Sequence, residues 1–303
     1  MITPPLLKAG DKIGIAATGR KINVSNLESA RNVFSSWGIS AVLGANVFSN
    51  AHSYLGGSDS ERLSDFQEML DNPEIKAIAC ARGGYGTTRI VDALDFSSLY
   101  EHPKWIIGFS DVTALHLKLF KAGIKSIHGT MPLLFSDPQS SSSIESLKRC
   151  LFGDGNILVA NSSSNNRIGK VTAPVIGGNL SLIADSVGTS SDPDTDGKIL
   201  VLEEIDEYKY KIDRMLIHLK RSGKLDNLAG LVVGYMTDIK DPQLPFGETI
   251  EEIVVSKLEK ANYPVAFNFP TGHENPNLAW VHGSTMTLDV ATTGAQLSPI
   301  FQI

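Results

Sequence analysis

Cysteine is almost missing from this 303-residue chain: Cys80 and Cys150 are the only two. A pair cannot build a disulfide framework or a cysteine-rich zinc site, so neither organises the fold. Long apolar runs are missing too; none reaches the ~18 residues that would cross a bilayer, and no membrane partner is expected. The opening Met1-Ile2-Thr3-Pro4-Pro5 lacks the basic-then-apolar pattern of a secretory leader, which points to a cytoplasmic protein. Positive charge is in deficit. Lys and Arg number 27 against 33 Asp and Glu, a net charge of 27 − 33 = −6. A field of that sign repels a phosphate backbone, so nucleic acid is not an expected partner. What is present is an ordinary globular composition, 42% hydrophobic and 20% charged, enough apolar surface for a substantial core. At roughly 100–200 residues per domain, the length allows two domains or one large α/β unit.

Along the first half, short apolar strands alternate with amphipathic helices. Strands are expected at 12–17, 39–43, 75–81 and 105–109. Ser25-Asn26-Leu27-Glu28 has capping-box spacing and opens a helix whose Leu27, Ala30, Phe34 and Trp37 share one face, with Gly38 as its stop. Further helices are expected at 60–70, 87–94 and 111–121. This alternation is the pattern of a mostly parallel sheet covered on both faces. Ser-rich residues 136–143 and the polar tract 161–166 then read as solvated loop bracketing a linker. Beyond it, strands are expected at 198–202, 230–235 and 264–267, and helices at 210–222 and 249–260. The simplest division is an N-terminal α/β domain over 1–150, a linker over 151–169, and a C-terminal domain over 170–303.

Two strand-to-helix turns carry the chemical interest. In Trp105-Ile106-Ile107-Gly108-Phe109-Ser110-Asp111-Val112, an apolar strand runs into a serine at the head of a helix. There Ser110 sits beside free backbone N–H groups and the positive end of a helix dipole, donors that suit the oxyanion of acyl transfer. Val112 stands where the G-x-S-x-G form has its second glycine, and the local pattern by itself favours a plain helix cap at Ser110. The second turn, Arg82-Gly83-Gly84-Tyr85-Gly86, matches neither dinucleotide nor P-loop patterns, so it is either a tight turn or a close-approach loop for a ligand. Arg82 itself reads as an ion-pairing residue, and Cys80 as core.

A nucleophilic serine needs a base, and the base an orienting acid. His273 lies in a Gly/Pro/Asn-rich loop after a strand, where catalytic groups concentrate, with His128 as its rival. His102, His116 and His218 read as helix-surface or loop positions. Glu203 and Glu204 end an apolar strand. Trp280 reads as packing.

Taken in order, Arg82-Gly83-Gly84-Tyr85-Gly86, Gly108-Phe109-Ser110-Asp111, His128-Gly129, Gly177-Gly178-Asn179-Leu180, Leu202-Glu203-Glu204, Ile212-Asp213-Arg214 and Gly272-His273 make a series. It resembles the LD-carboxypeptidases, serine peptidases that include the murein tetrapeptide carboxypeptidases and the microcin C self-immunity proteins. The resemblance runs over nearly the whole chain. It implies an N-terminal Rossmann-like parallel-sheet domain, a C-terminal domain with its own sheet, and an active site in the cleft between them. It also implies Ser110 as nucleophile, Glu203 (rather than Glu204) as orienting acid, His273 as base, and the N–H groups of Gly84 and Asp111 as the oxyanion hole. No cofactor or metal is implied. The implied substrate is a muropeptide tetrapeptide that loses its terminal D-alanine, with a peptidyl-nucleotide of the microcin type as the alternative and a homodimer as a common family state. A non-catalytic α/β protein using the Gly83–Gly86 turn as an anion nest is the reading from another class. An exopeptidase must also bind a terminal carboxylate, through an arginine or a backbone nest, and the sequence singles out neither.

Overall fold

The computed structural model describes residues 1–153, 155–258 and 261–300. The first half contributes β1 (Lys12–Ala16), α1 (Val24–Ser36), β2 (Ser40–Leu43), α2 (Asp59–Asp71), β3 (Ile75–Cys80), α3 (Ser98–Glu101), β4 (Trp105–Gly108), α4 (Thr113–Lys121), β5 (Ser126–His128) and α5 (Ser141–Phe152). The second half contributes β6 (Leu158–Asn161), β7 (Gly169–Asn179), α6 (Leu180–Ser186), β8 (Ile199–Ile205), α7 (Lys209–Arg221), β9 (Gly230–Thr237), α8 (Ile250–Ser256), β10 (Val265–Ala266), β11 (Trp280–His282), β12 (Thr285–Ala291) and β13 (Gly294–Pro299). Two sheets result, in the orders β11-β5-β4-β3-β1-β2 and β10-β9-β8-β7-β12-β13-β6. β1 through β5 run parallel, and so do β7 through β10.

Burial on both faces explains why the parallel strands read as unbroken apolar runs. Successive residues of β4 feed opposite cores. Ile107 packs with Ile13, Ile15, Leu27 and Phe34, while Ile106 packs with Phe66, Met69, Leu70 and Leu115. α2 starts on a capping box between Ser58 and Glu61, and α8 on one between Thr249 and Glu252. The box expected at Ser25–Glu28 does not form: α1 begins earlier, after Asn23, with no side-chain cap. The helix expected at 87–94 is instead two short 3₁₀ turns, Thr87–Arg89 and Val91–Ala93. Residues 259 and 260, the end of the helix expected over 249–260, lie outside the described residues.

The stretch expected as linker is structured. β6 lies inside 151–169 and pairs antiparallel with β13 as the edge of the second sheet. The Ser-rich tract is no solvated loop either. It opens α5, where Ser143 and Ser146 are buried; Ser143 Oγ accepts from Asn277 N at 2.8 Å and Ser146 Oγ from Ala279 N at 2.9 Å. These bonds steer the chain from β10, in the second sheet, into β11, which pairs antiparallel with β5 and so completes the first sheet. The segment between β10 and β11 is thus tied to both sheets, and it carries His273.

Candidate active site

Ligands of parallel α/β sheets bind beyond the carboxyl ends of the strands. Here the turns after β1, β3 and β4 meet at that edge. After β4 the chain is extended at Phe109 and then turns left-handed at Ser110, φ 61°. A serine rarely adopts that conformation, at a cost of about 1–3 kcal/mol, so the surrounding structure must impose it. The turn after β3 packs directly on it. A Cβ on Gly83 would sit 3.2 Å from Ser110 Cβ, and Gly84 (φ 107°) could carry no side chain without meeting that of Arg20.

A buried polar network joins these turns. The Asp111 carboxylate accepts from Thr87 N at 2.9 Å and Thr87 Oγ1 at 2.7 Å, and Thr87 Oγ1 also bonds Thr18 Oγ1 at 3.1 Å. Arg62, fully buried, pairs with Asp59 and donates to the carbonyls of Thr18 and Gly86. Burial pushes the Asp111 carboxyl above its usual range, and the Thr87 bonds oppose that shift. Nothing in the local pattern around Thr18 and Thr87 marked them; only their meeting in space with Arg62 does.

Glu203 and Glu204, adjacent at the end of β8, face different partners, as alternation along a strand requires, and a register shift interrupts the ladder there. Glu203, fully buried, bonds His273 Nδ1 through Oε2 at 2.6 Å, while Oε1 has no partner among the described residues. Glu204 instead accepts from Asn179 Nδ2, Ser181 N and Oγ, and Ile205 N. Burial disfavours the His273 imidazolium, but the charge and hydrogen bond of Glu203 outweigh it, and the net shift is upward. The imidazole also packs 4.9 Å from the Phe109 ring, centroid to centroid.

Ser110, Gly83, Gly84 and His273 line one cleft of about 660 Å³, with Arg20, Tyr54 and Arg82 at the same opening. Among the described residues, neither the Gly84 N–H nor the Asp111 N–H has a hydrogen-bond acceptor, and Ser110 Oγ is not bonded to His273. Such contacts commonly tighten only when substrate binds. His128, the rival base, is fully buried and stacks on Trp280 at 4.9 Å, and neither ring nitrogen has a partner among the described residues. Trp280 is likewise core, 1% exposed. His116 is not on a helix surface: it is buried, with Nδ1 against Ser126 Oγ at 2.8 Å and Nε2 against the Gly108 carbonyl at 2.9 Å. Cys80 is core, its thiol pushed up to about 12 by burial. Arg82 is no ion-pairing residue. It donates to the Lys21 carbonyl at 3.0 Å and meets no carboxylate among the described residues.

Two family models match, the LD-carboxypeptidase N-terminal domain over 13–129 and the LD-carboxypeptidase C-terminal domain over 172–288. The chain belongs to the LD-carboxypeptidase family. It is therefore an enzyme, a carboxypeptidase of the serine type. A probable murein peptide carboxypeptidase of Bacillus subtilis is 33% identical over 299 residues, 95% of this chain and 92% of the relative. A murein tetrapeptide carboxypeptidase of Pseudomonas aeruginosa is 30% identical over 290 residues, 92% and 93% of the two chains. The solved structure of a muramoyltetrapeptide carboxypeptidase from Oxalobacter formigenes superposes with TM-score 0.87 at 27% identity, covering 96% of this chain and 100% of that one. A structure of the microcin C7 self-immunity protein superposes with TM-score 0.85 over 99% of both chains; at 21% identity that likeness shows the fold alone. Within this LD-carboxypeptidase, Gly84, Ser110 and Asp111 fall in the first matched segment and Glu203 and His273 in the second, so both halves build the cleft. No helix among the described residues is long and apolar enough to cross a membrane.

Proposed function

We propose that this LD-carboxypeptidase removes the terminal D-alanine of a murein tetrapeptide through a Ser110–His273–Glu203 triad and an acyl-enzyme, in cytoplasmic recycling of wall fragments. One observation carries the reading: a buried Glu203–His273 bond opens on the same cleft as a serine held at φ 61°. In the proposed cycle His273 Nε2 takes the Ser110 proton as Oγ attacks the scissile carbonyl. Glu203 holds the Nδ1–H tautomer and stabilises the imidazolium. The N–H groups of Gly84 and Asp111 receive the oxyanion. His273 then returns the proton to the departing D-alanine nitrogen, and water, deprotonated in turn by His273, releases the shortened peptide.

The names and coverage of the murein peptidases among the relatives support the substrate class. The test is a purified tetrapeptide muropeptide assayed for released D-alanine with wild type and Ser110→Ala. Loss on the order of 10⁴-fold or more is expected. A folded Ser110→Ala protein that keeps near wild-type release overturns the assignment.

A further inference from the structure

Two arginines stand in the cleft with no acid to answer them among the described residues. Arg82 is anchored through Nη1 to the Lys21 carbonyl, 3.0 Å away, while its Nε has no partner among the described residues. Arg20 lies over the Tyr54 ring, 4.7 Å from its centroid, with its stem against Gly84. The carboxylates that line the same cleft are engaged elsewhere. Asp206 pairs with Lys240 and Glu207 with Lys211; Glu274 accepts from Thr237 Oγ1, and Asp137 from Gln139 N. Burial, and then the like charge of Arg20, destabilise the Arg82 cation, a situation that a bound anion would relieve.

The place of Arg82 limits what that anion can be. It directly precedes Gly83, which packs on Ser110, and Gly84, which lies against the Arg20 side chain. With Cα atoms about 3.8 Å apart along the chain, its backbone is within roughly two residue lengths of the proposed oxyanion donor at Gly84. A peptide whose scissile carbonyl rests there has its next carboxylate one residue further along. We propose that Arg82, with Arg20 beside it, is the subsite for the substrate's free C-terminal carboxylate and so confines the enzyme to removing terminal residues. Guanidinium suits the task because its planar fork stays charged and matches a carboxylate. The proposal rests on Ser110 being the nucleophile.

The experiment uses two forms of one tetrapeptide, ending in the free acid or in the amide, with wild type, Arg82→Gln and Arg82→Lys. Wild type should cleave the acid on the order of 10²-fold better in kcat/KM, the penalty for a buried charge-recognising group left unanswered. In Arg82→Gln the acid-to-amide ratio should fall to near one, with the change mainly in KM; Arg82→Lys should restore part of it. Ser110 labelling by a fluorophosphonate, read in the same samples, reports the nucleophile independently. A ratio that survives in Arg82→Gln, or that is near one in wild type, with Ser110 labelled, overturns the role of Arg82 alone. Failure of wild type both to label and to cleave overturns the nucleophile as well.

Discussion

Replacing Glu203 with Gln removes one charge from a fully buried site without changing its shape. The carboxylate bonds His273 Nδ1 at 2.6 Å, and its second oxygen is unpartnered among the described residues, so the loss concentrates on one interaction. Taking the charge centres as about 4 Å apart at an effective dielectric near 20, the imidazolium–carboxylate attraction is about 4 kcal/mol, on the order of 10³ in rate. Glutamine can also offer its NH₂ to Nδ1 and select the wrong tautomer, which takes the expected fall in kcat toward ~10⁴-fold, the size found for the equivalent change in a Ser-His-Asp triad. A second readout has a definite sign. As the proposed base, His273 must be neutral in wild type, and its pKa lies above the ordinary histidine value, so the acid limb of kcat/KM should fall above about 6.5. Without the Glu203 charge, burial acts downward against only the smaller pull of the Glu204 charge; the limb should move to lower pH in Glu203→Gln. D-alanine release followed from about pH 5 to 9, with thermal unfolding as the folding control, measures both. A loss under about tenfold, or a limb that stays in place, would refute the role of Glu203.

The left-handed serine gives a stability test, because glycine tolerates φ 61° and alanine does not. Ser110→Gly should be about 1 kcal/mol more stable than Ser110→Ala in denaturant titration, with both inactive. Asp111→Asn should lower stability by about 1–3 kcal/mol, because it weakens the acceptor of two Thr87 bonds, and should reduce kcat through misplaced oxyanion donors while KM changes little. Ser143→Ala leaves the Asn277 N–H unanswered in a buried segment and should cost about 1–3 kcal/mol by the same measurement. His116, His128 and His282 are buried with pKa values shifted down by desolvation, that of His116 to about 4. A histidine depressed in this way contributes stability that is present above about 6.5 and lost as pH falls toward its folded value. Between pH 7 and 5 His116 should remove roughly 2 kcal/mol; the raised carboxyls of Asp65, Asp111 and Glu204 act in the opposite direction. His116→Gln should flatten the measured fall by about that one-histidine share; an unchanged slope would show that His116 is not buried as the neutral form.

Several features of the site were legible before folding. Ser110 sits on the turn where an apolar strand meets a helix, and the glycines of residues 83–86 mark a tight turn or a backbone that a ligand approaches closely. Both are local signals, set by φ preferences and strand–helix alternation over a few residues. Two kinds of information were not legible. Glu203 and Glu204 are alike in sequence, and only the direction each takes at the end of β8 gives one His273 and the other Asn179 and Ser181. The Ser-rich tract had the composition of a loop, but tertiary hydrogen bonds bury Ser143 and Ser146 and convert it to a docking helix, because a hydroxyl that finds a backbone donor loses little by leaving water. His116 fails for a similar reason: helical periodicity cannot tell an exposed polar position from one buried against a neighbouring strand.

By itself, the sequence determined the class of fold, the two turns at the sheet edge and a short list of groups able to do acyl transfer, since these depend on residue type and near-neighbour spacing. Which of those groups meet depended on the tertiary structure. β11 leaves the second half to pair with β5, and α5 holds residues 277–279 against it, so the loop with His273 is brought to the cleft lined by Ser110. The two residues that line this cleft are more than 160 residues apart along the chain, Ser110 and His273. Long-range pairing of this kind is selected by burial and backbone hydrogen bonding across the whole molecule, which no local pattern encodes.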